Sequence, residues 1–330
     1  MAEGAPRRRD IVAIGASAGG VPILLSLAQA LPRDFPASVL VVQHIGAHPS
    51  ALPELMRNAG AMAAAHPRNG EPLEHGRIYI APPDQHMLVV GGHLRLTRDA
   101  KENHARPAID PLFRSAAINH GPRAIGVVLS GRLDDGTAGL QAIRACGGTV
   151  VVQDPADAEE TGMPASAMEN VRVDHLVTRE TLADTLGALV REPAPAPPEV
   201  PRNLACEYHL ALGDRENPME DLDALGTPSK VTCPDCNGVL WEITGSMPRR
   251  YRCHTGHAYT ERTLEFTQRT RMDEALWNAL RATQEREGLL RSMADLHRKT
   301  GRGGEVARLE SEAEHLAQHV AHLQRMVASG

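Results

Sequence analysis

The sequence predicts an α/β protein: a doubly wound, mostly parallel sheet, then a small cysteine-rich module and a C-terminal helical hairpin. Three observations predict this. Between residue 10 and about residue 190, short Val- and Ile-rich runs alternate with helix-like stretches, the pattern of strands buried on both faces. Three of the five cysteines cluster between Cys233 and Cys253. Beyond Glu261, leucines recur at helical spacing on both sides of a glycine-rich break.

The strand runs lie at 11–14, 39–42, 78–81, 87–90, 124–129 and 149–153. Gly91-Gly92 reads as a hairpin turn, which predicts one antiparallel portion in the sheet. The domain closes near Arg191, where Glu192-Pro193-Ala194-Pro195-Ala196-Pro197-Pro198 forms a stiff, extended linker. The divisions expected are a tail (1–9), the α/β domain (10–191), a linker with a possible strand at 204–212 (192–229), the cysteine module (230–260) and the hairpin (261–330).

Composition narrows the function. A net charge of -6 argues against nucleic acid as a partner. Aromatics make up only 3%, so the core is built from Ala, Val, Leu and Ile. No apolar run approaches the ~18 residues of a membrane span, which predicts no direct membrane insertion. Arg7-Arg8-Arg9 leads straight into a strand and does not read as a signal peptide. Few, clustered cysteines suit a reducing compartment, so a cytoplasmic location is expected.

The first strand runs into Gly15-Ala16-Ser17-Ala18-Gly19-Gly20, and the second ends on Gln43-His44. A serine on a sharp strand-to-helix turn is held out toward a substrate carbonyl, and His44 at the neighbouring strand end can act as its base. An acidic partner is expected in Ser130-Gly131-Arg132-Leu133-Asp134-Asp135-Gly136, after a third strand; the plainer role for Asp135 is to cap the following helix. The rival for residues 15–20 is a phosphate-binding loop. A dinucleotide fold wants an acid where this chain has Gln43-His44, which favours a serine hydrolase. The order Ser, His, Asp also differs from that of α/β-hydrolases.

Cys233-x2-Cys236 followed by Cys253-x3-His257 has the spacing of a structural zinc site with four protein ligands and no open position. Gly256 allows a tight knuckle, which favours His257 as fourth ligand over His254. His315, His319 and His322 lie near one helix face and read as a solvated or interface stripe rather than a second metal site.

Across residues 10–190 the chain resembles the chemotaxis receptor-glutamate methylesterases of the CheB type. The likeness rests on Ile14-Gly15-Ala16-Ser17-Ala18-Gly19-Gly20, Val42-Gln43-His44, Ile80-Ala81-Pro82-Pro83-Asp84-Gln85-His86, and Arg106-Pro107-Ala108-Ile109-Asp110-Pro111-Leu112-Phe113. It continues through Leu129-Ser130-Gly131, Asp135-Gly136, Gln153-Asp154-Pro155 and Gly162-Met163-Pro164. The resemblance implies a methylesterase catalytic domain that needs no cofactor for catalysis. Ser17 is the implied nucleophile on a glutamate methyl ester of a receptor helical bundle, His44 the base, and Asp135, rather than Asp134, the acid that orients it. It also implies glutamine deamidation through the same oxyanion, with one donor in the Gly131-Arg132 turn.

Two departures stand out. The family commonly reads Gly-Met-Gly where this chain has Gly131-Arg132-Leu133. Its members usually carry an N-terminal receiver domain, whereas ten residues precede the first strand here, so no receiver switch is expected. Receiver-less relatives are similar in the tail as well, with a knuckle like Arg252 to Tyr259 and a hairpin containing Ala275-Leu276-Trp277. The charge-balanced hairpin reads as a packing or dimerisation element, or as a docking site for a receptor's long helical bundle, a methyltransferase or another signalling protein. The competing readings are a signalling adaptor without useful turnover and, more weakly, a zinc-ribbon nucleic-acid binder.

Overall fold

A computed structural model describes residues 7–45, 49–212, 218–301 and 303–329. Residues 1–6 of the expected tail and Arg302 of the expected helix break lie outside these. The chain divides into two compact units, Met1–Leu264 and Glu265–Gly330.

The first unit opens with β1 (Ile11–Ala16), α1 (Gly20–Ala30), β2 (Ser38–Gln43), α2 (Leu52–Ala59), β3 (Ala63–Ala65), β4 (Glu71–Pro72) and β5 (Arg77–Ile80). There follow β6 (His86–Val90), β7 (His93–Thr97), α3 (Ile109–His120), β8 (Ala124–Val128), α4 (Thr137–Ala145) and β9 (Thr149–Gln153). The α/β portion closes with α5 (Gly162–Asn170), β10 (His175–Val177) and α6 (Leu182–Leu189). Seven strands form one sheet in the order β10-β9-β8-β1-β2-β5-β3, and every pairing in it is parallel.

Every residue of β1, β2, β8 and β9 is buried, because helices cover both faces. Alternation along β1 divides its side chains between two cores. Val12, Ile14 and Ala16 pack with α1, α2 and α6, whereas Ile11 and Ala13 pack with α3, α4 and α5. The chain leaves β1 toward β2 on one side and later places β8 on the other, so strand order reverses at β1. Crevices at such reversals, beyond the carboxyl ends of the strands, are where doubly wound folds hold their ligands.

The Gly91-Gly92 hairpin is present, with both glycines at positive φ (56° and 82°) as a two-residue turn of this hand requires. The sequence predicts this antiparallel portion within the main sheet, but the structure sets it apart. β6 and β7 form a separate three-stranded sheet with β4, because Met87 and Val89 bury against the α3 face of the domain instead of extending the parallel ladder.

The stretch 204–212, expected as a possible strand, is helical: α7 (Arg202–Leu212), followed by α8 (Pro218–Leu225). Leu204, Tyr208 and Leu212 recur every four residues and so share one helix face. Leu204 enters the domain core, while Tyr208 and Leu212 close over Leu88. The 192–229 segment thus carries two helices between its proline-rich first part and Gly226, where a strand begins.

The cysteine module is a four-stranded antiparallel sheet of β11 (Gly226–Thr232), β12 (Val239–Ile243), β13 (Arg250–Cys253) and β14 (Ala258–Thr260). Its core is small: Cys233, Leu240, Tyr251, Cys253, Tyr259 and Leu264.

α9 (Glu261–Lys299) supplies most of its length to the second unit, where α10 (Gly303–Ser329) completes a helical hairpin. Leu290 and Ala294 pack on Leu309 and Ala313, and Arg286 pairs with Glu312. Among the described residues no helix is long and apolar enough to cross a membrane.

Candidate active site and metal centre

Ser17 follows the last residue of β1, and His44 follows the last residue of β2. The register pairs Ala16 with Gln43, so the two site residues stand side by side at adjacent strand ends. Strands in one sheet lie about 4.8 Å apart. The backbone there is pinned on all sides: Ser17 N–H donates to Ser130 O (2.9 Å), His44 N–H to Ala16 O (2.9 Å), and Gln43 Nε2 to Ser17 O (2.8 Å). Gly19 at φ 76° makes the turn into α1, which a side-chain-bearing residue adopts only with strain.

Gly131 approaches Ser17 from the β8 side. A Cβ added there would lie 2.8 Å from Ser17 Cβ and 2.1 Å from Met163 Sδ, so this backbone comes close to the serine only because it carries no side chain. The Gly131 N–H donates to Glu160 O (3.0 Å). Arg132 points outward and pairs with Glu160 (2.7 Å). Leu133 takes φ 62°, a left-handed conformation that glycine adopts freely and leucine does not.

Asp135 reaches across from the loop after β8, and its Oδ2 lies 2.8 Å from His44 Nε2. It is 3% exposed, which ordinarily disfavours a charge. Burial is opposed by hydrogen bonds from His44, from the Ile109 N–H (2.7 Å) and from Asn103 Nδ2 (2.8 Å), which together hold the carboxyl below the usual range. Asp135 accepts from the Gly136 N–H (2.9 Å) at the start of the helix that follows it, as a cap would, and it also holds the Ile109 and Asp110 N–H groups at the N-terminus of α3, whose dipole favours its negative charge.

Asp110 does the converse, accepting from Gly136 N–H (3.1 Å) and Gly139 N–H (2.6 Å) at the start of α4. Burial, and then the negative Asp135 beside it, push its carboxyl up. The two acids share Asn103 Nδ2 as donor, and the charge resides on Asp135. Asn103 and Asp110 carried no separate signal in the sequence; only the tertiary fold brings them together.

A cavity of about 340 Å³ opens beside His44, lined also by Asp84, Lys101, His104, Arg106 and Leu133. Arg106 is anchored on Asp84 (2.6 Å), which leaves Lys101 as its lysine wall. Behind it, buried His86 is held neutral by desolvation, and it ties the loop to Ala100 O (3.1 Å) and to the Ala108 N–H (3.2 Å).

In the cysteine module, Cys233, Cys236, Cys253 and His257 bring their ligand atoms within 4.8 Å of one another. Cys236 and Cys253 sulfurs are 3.6 Å apart, and Cys253 Sγ is 3.5 Å from His257 Nδ1. A tetrahedral zinc with ordinary bond lengths places S–S edges at roughly 3.8 Å and S–N edges at roughly 3.6 Å. These four residues therefore fit a metal. Both turns are knuckles, closed by Asn237 N–H to Cys233 O (2.8 Å) and Gly256 N–H to Cys253 O (2.9 Å). His254 packs over Gly238 instead of joining the cluster. Rings of His315 and His319 meet edge to face (4.6 Å between centroids), and among the described residues the Cys/His group is the only gathering of three or more potential ligands.

The module is not a pendant. β14 pairs with the loop that carries Asn103: Asn103 N–H donates to Ala258 O (2.8 Å) and Ala258 N–H to Lys101 O (3.2 Å). Arg252 reaches Glu102 (2.6 Å), Arg114 bridges Glu102 and Glu207 (2.6 Å each), and Arg250 grips Glu207 (2.7 Å). Thr260 and Thr263 hydroxyls both donate to Asp134 Oδ1 (2.7 and 2.9 Å).

Comparison with known proteins agrees with this architecture. Residues 12–186, over half of the chain, match the CheB methylesterase family. A protein-glutamate methylesterase/protein-glutamine glutaminase of Anaeromyxobacter dehalogenans is 36% identical over 185 residues, covering 56% of this chain and 54% of that protein. A putative protein of the same name from Leptospira interrogans is 34% identical over 180 residues, covering 53% of this chain and 92% of its own length. The chain thus spans about half the length of the first relative and nearly all of the second. The crystal structure of the Thermotoga maritima CheB methylesterase catalytic domain superposes with a TM-score of 0.53 at 32% identity, covering 55% of this chain and 98% of that domain. The match takes in the seven-stranded sheet and the turns bearing Ser17, His44 and Asp135, and the chain belongs to the CheB methylesterase family.

Proposed function

We propose that the protein is a protein-glutamate methylesterase, with protein-glutamine deamidase activity, acting on methyl-accepting chemoreceptors in chemotaxis-type signalling. The observation that carries this reading is the 2.8 Å contact between His44 Nε2 and Asp135 at the strand end beside Ser17. Asp135 holds a proton on Nε2 and leaves the Nδ1 lone pair for Ser17. Ser17 Oγ attacks the ester carbonyl while His44 takes its proton. The tetrahedral oxyanion collapses, and methanol departs with that proton. Water, activated by His44, then hydrolyses the acyl-serine and restores the free enzyme. With Gly131 N–H committed to Glu160, the oxyanion donor of this turn is the Arg132 N–H. The Lys101 side of the cavity suits a receptor helix rich in acidic side chains.

The four-residue cluster holds a structural zinc ion, which ties the module together and takes no part in ester chemistry. The helical hairpin exposes Trp277, Leu289 and Leu296 and serves as a contact surface for a signalling protein such as a methyltransferase.

Methanol release from a methylated receptor fragment, compared between the intact protein and Ser17→Ala, tests the reading. Release by the intact protein alone supports it. Binding without release by either protein favours a signalling adaptor instead, the reading that the left-handed Leu133 in the departed Gly-Met-Gly turn keeps in play.

A further inference from the structure

We infer that the Cys/His module is a clamp on the esterase site: β14 holds Asn103, Asn103 holds Asp135, and metal loading of the module thereby sets turnover. The inference rests on the proposed roles of Ser17, His44 and Asp135.

The connection is short and fully hydrogen-bonded. His257, one of the four candidate metal ligands, stands immediately before β14, and Thr260 ends that strand. The Thr260 N–H donates to Asn103 Oδ1 (3.1 Å), which fixes the amide so that Nδ2 faces Asp135 Oδ1 (2.8 Å) and Asp110 Oδ2 (2.9 Å). Asp135 Oδ2 in turn meets His44. One residue upstream, Glu102 accepts from Arg252, whose other nitrogen donates to Gly256 O (3.1 Å) inside the second knuckle. Asp134, directly before Asp135, is fastened to the last residue of that strand, Thr260, and to Thr263 in the first turn of α9. The module thus grips both sides of the acid.

Asn103 and His104 both sit at positive φ (51° and 61°). Consecutive left-handed residues other than glycine persist only where the surroundings over-determine them. The surroundings here are supplied by β14, through the Asn103 N–H to Ala258 bond. A module this small is held folded by its metal. Without the ion β14 loosens, the loop relaxes, and Asp135 Oδ1 loses its side-chain donor, keeping the Gly136 (2.9 Å) and Asp110 (3.2 Å) N–H groups. Asn103 is on this account a positioning residue that acts through Asp135.

The test uses the full chain, zinc-loaded, chelator-stripped and zinc-restored, beside Asn103→Ala, which leaves all four metal ligands intact. The first readout is the downfield proton resonance of the His44–Asp135 hydrogen bond, assigned with His44→Gln, because it needs no substrate. It is expected in the loaded protein, broadened or lost on stripping, recovered with zinc, and lost in Asn103→Ala with zinc still bound. The second readout is methanol release: stripping and Asn103→Ala each lower kcat about tenfold with KM little changed, and the two losses do not multiply. A resonance and a kcat that survive both treatments overturn the clamp. If the intact protein shows the resonance but releases no methanol, the proposed function fails while the clamp is still judged by the resonance alone.

Discussion

The proposed esterase site and the Cys/His site are assembled in opposite ways. Ser17, His44 and Asp135 come from three loops far apart in the chain, and they meet because a parallel sheet buried on both faces delivers its strand ends to one crevice. Cys233, Cys236, Cys253 and His257 come from two tight turns of a module with hardly any core. Geometry in the first case is imposed by packing, so its reactive groups can be changed with little effect on the fold. In the second, on the proposed zinc reading, the ligands themselves supply the cohesion, and removing one is expected to remove the structure.

The comparison breaks most sharply at Asp135. Asp135→Asn is expected to lower kcat about 10^4-fold while far-UV circular dichroism stays unchanged. Loss of the sheet signal would mean that this carboxylate is chiefly the cap of α3. Gly131→Ala comes next. Its methyl group has to displace Ser17 or Met163, and misplacement of a nucleophile by about 1 Å costs on the order of 100-fold in kcat. In the module, Cys236→Ser is expected to abolish stoichiometric zinc binding and to make residues 226–260 protease-sensitive, with the α/β domain still resistant in the same digest.

Acid sharpens the contrast further. Glu102 titrates at about 2 instead of 4.5, since pairing with Arg114 and Arg252 outweighs its burial, and Glu207 is depressed in the same way by Arg250 and Arg114. The native state then binds fewer protons than the unfolded chain between those values. The stability these carboxylates supply is present above pH 4.5 and drains away as the pH falls toward 2. Trp241 is buried in β12, and the other tryptophan, Trp277, is exposed. In a Trp277→Phe chain, a red shift of emission over that interval is expected as the module detaches. The smallest effect belongs to Leu133→Gly. It relieves a left-handed leucine but adds backbone entropy, changes that offset to within about 1 kcal/mol in thermal melts.

Much of the α/β domain was legible because short Val- and Ile-rich runs at strand spacing have few other uses. The three-residue strands β3 and β10 were not, since Ala63–Ala65 and His175–Val177 are too short to show periodicity. The stretch 204–212 reads as a possible strand but folds as α7, whose face is formed by Leu204, Tyr208 and Leu212. Ser17, His44 and the Cys/His ligands announce themselves by residue type and spacing. Asn103 does not: an asparagine in a polar loop means nothing until β14 and Asp135 close on it from two sides. Glu102 and Glu207 look like surface acids in the sequence, and only Arg114 of α3 with Arg250 and Arg252 of β13 show why they are buried.

Both margins of the seven-stranded sheet are three-residue strands. Long, flat sheet margins invite a second chain to add on through its unpaired amides, and stubby ones give it too little to hold. A Val-rich interior of this kind is prone to fibrillar association when its ladder is left open. Here the ladder is ended early on each side, so the apolar strands that build the crevice beside Ser17 and His44 stay sequestered within one chain.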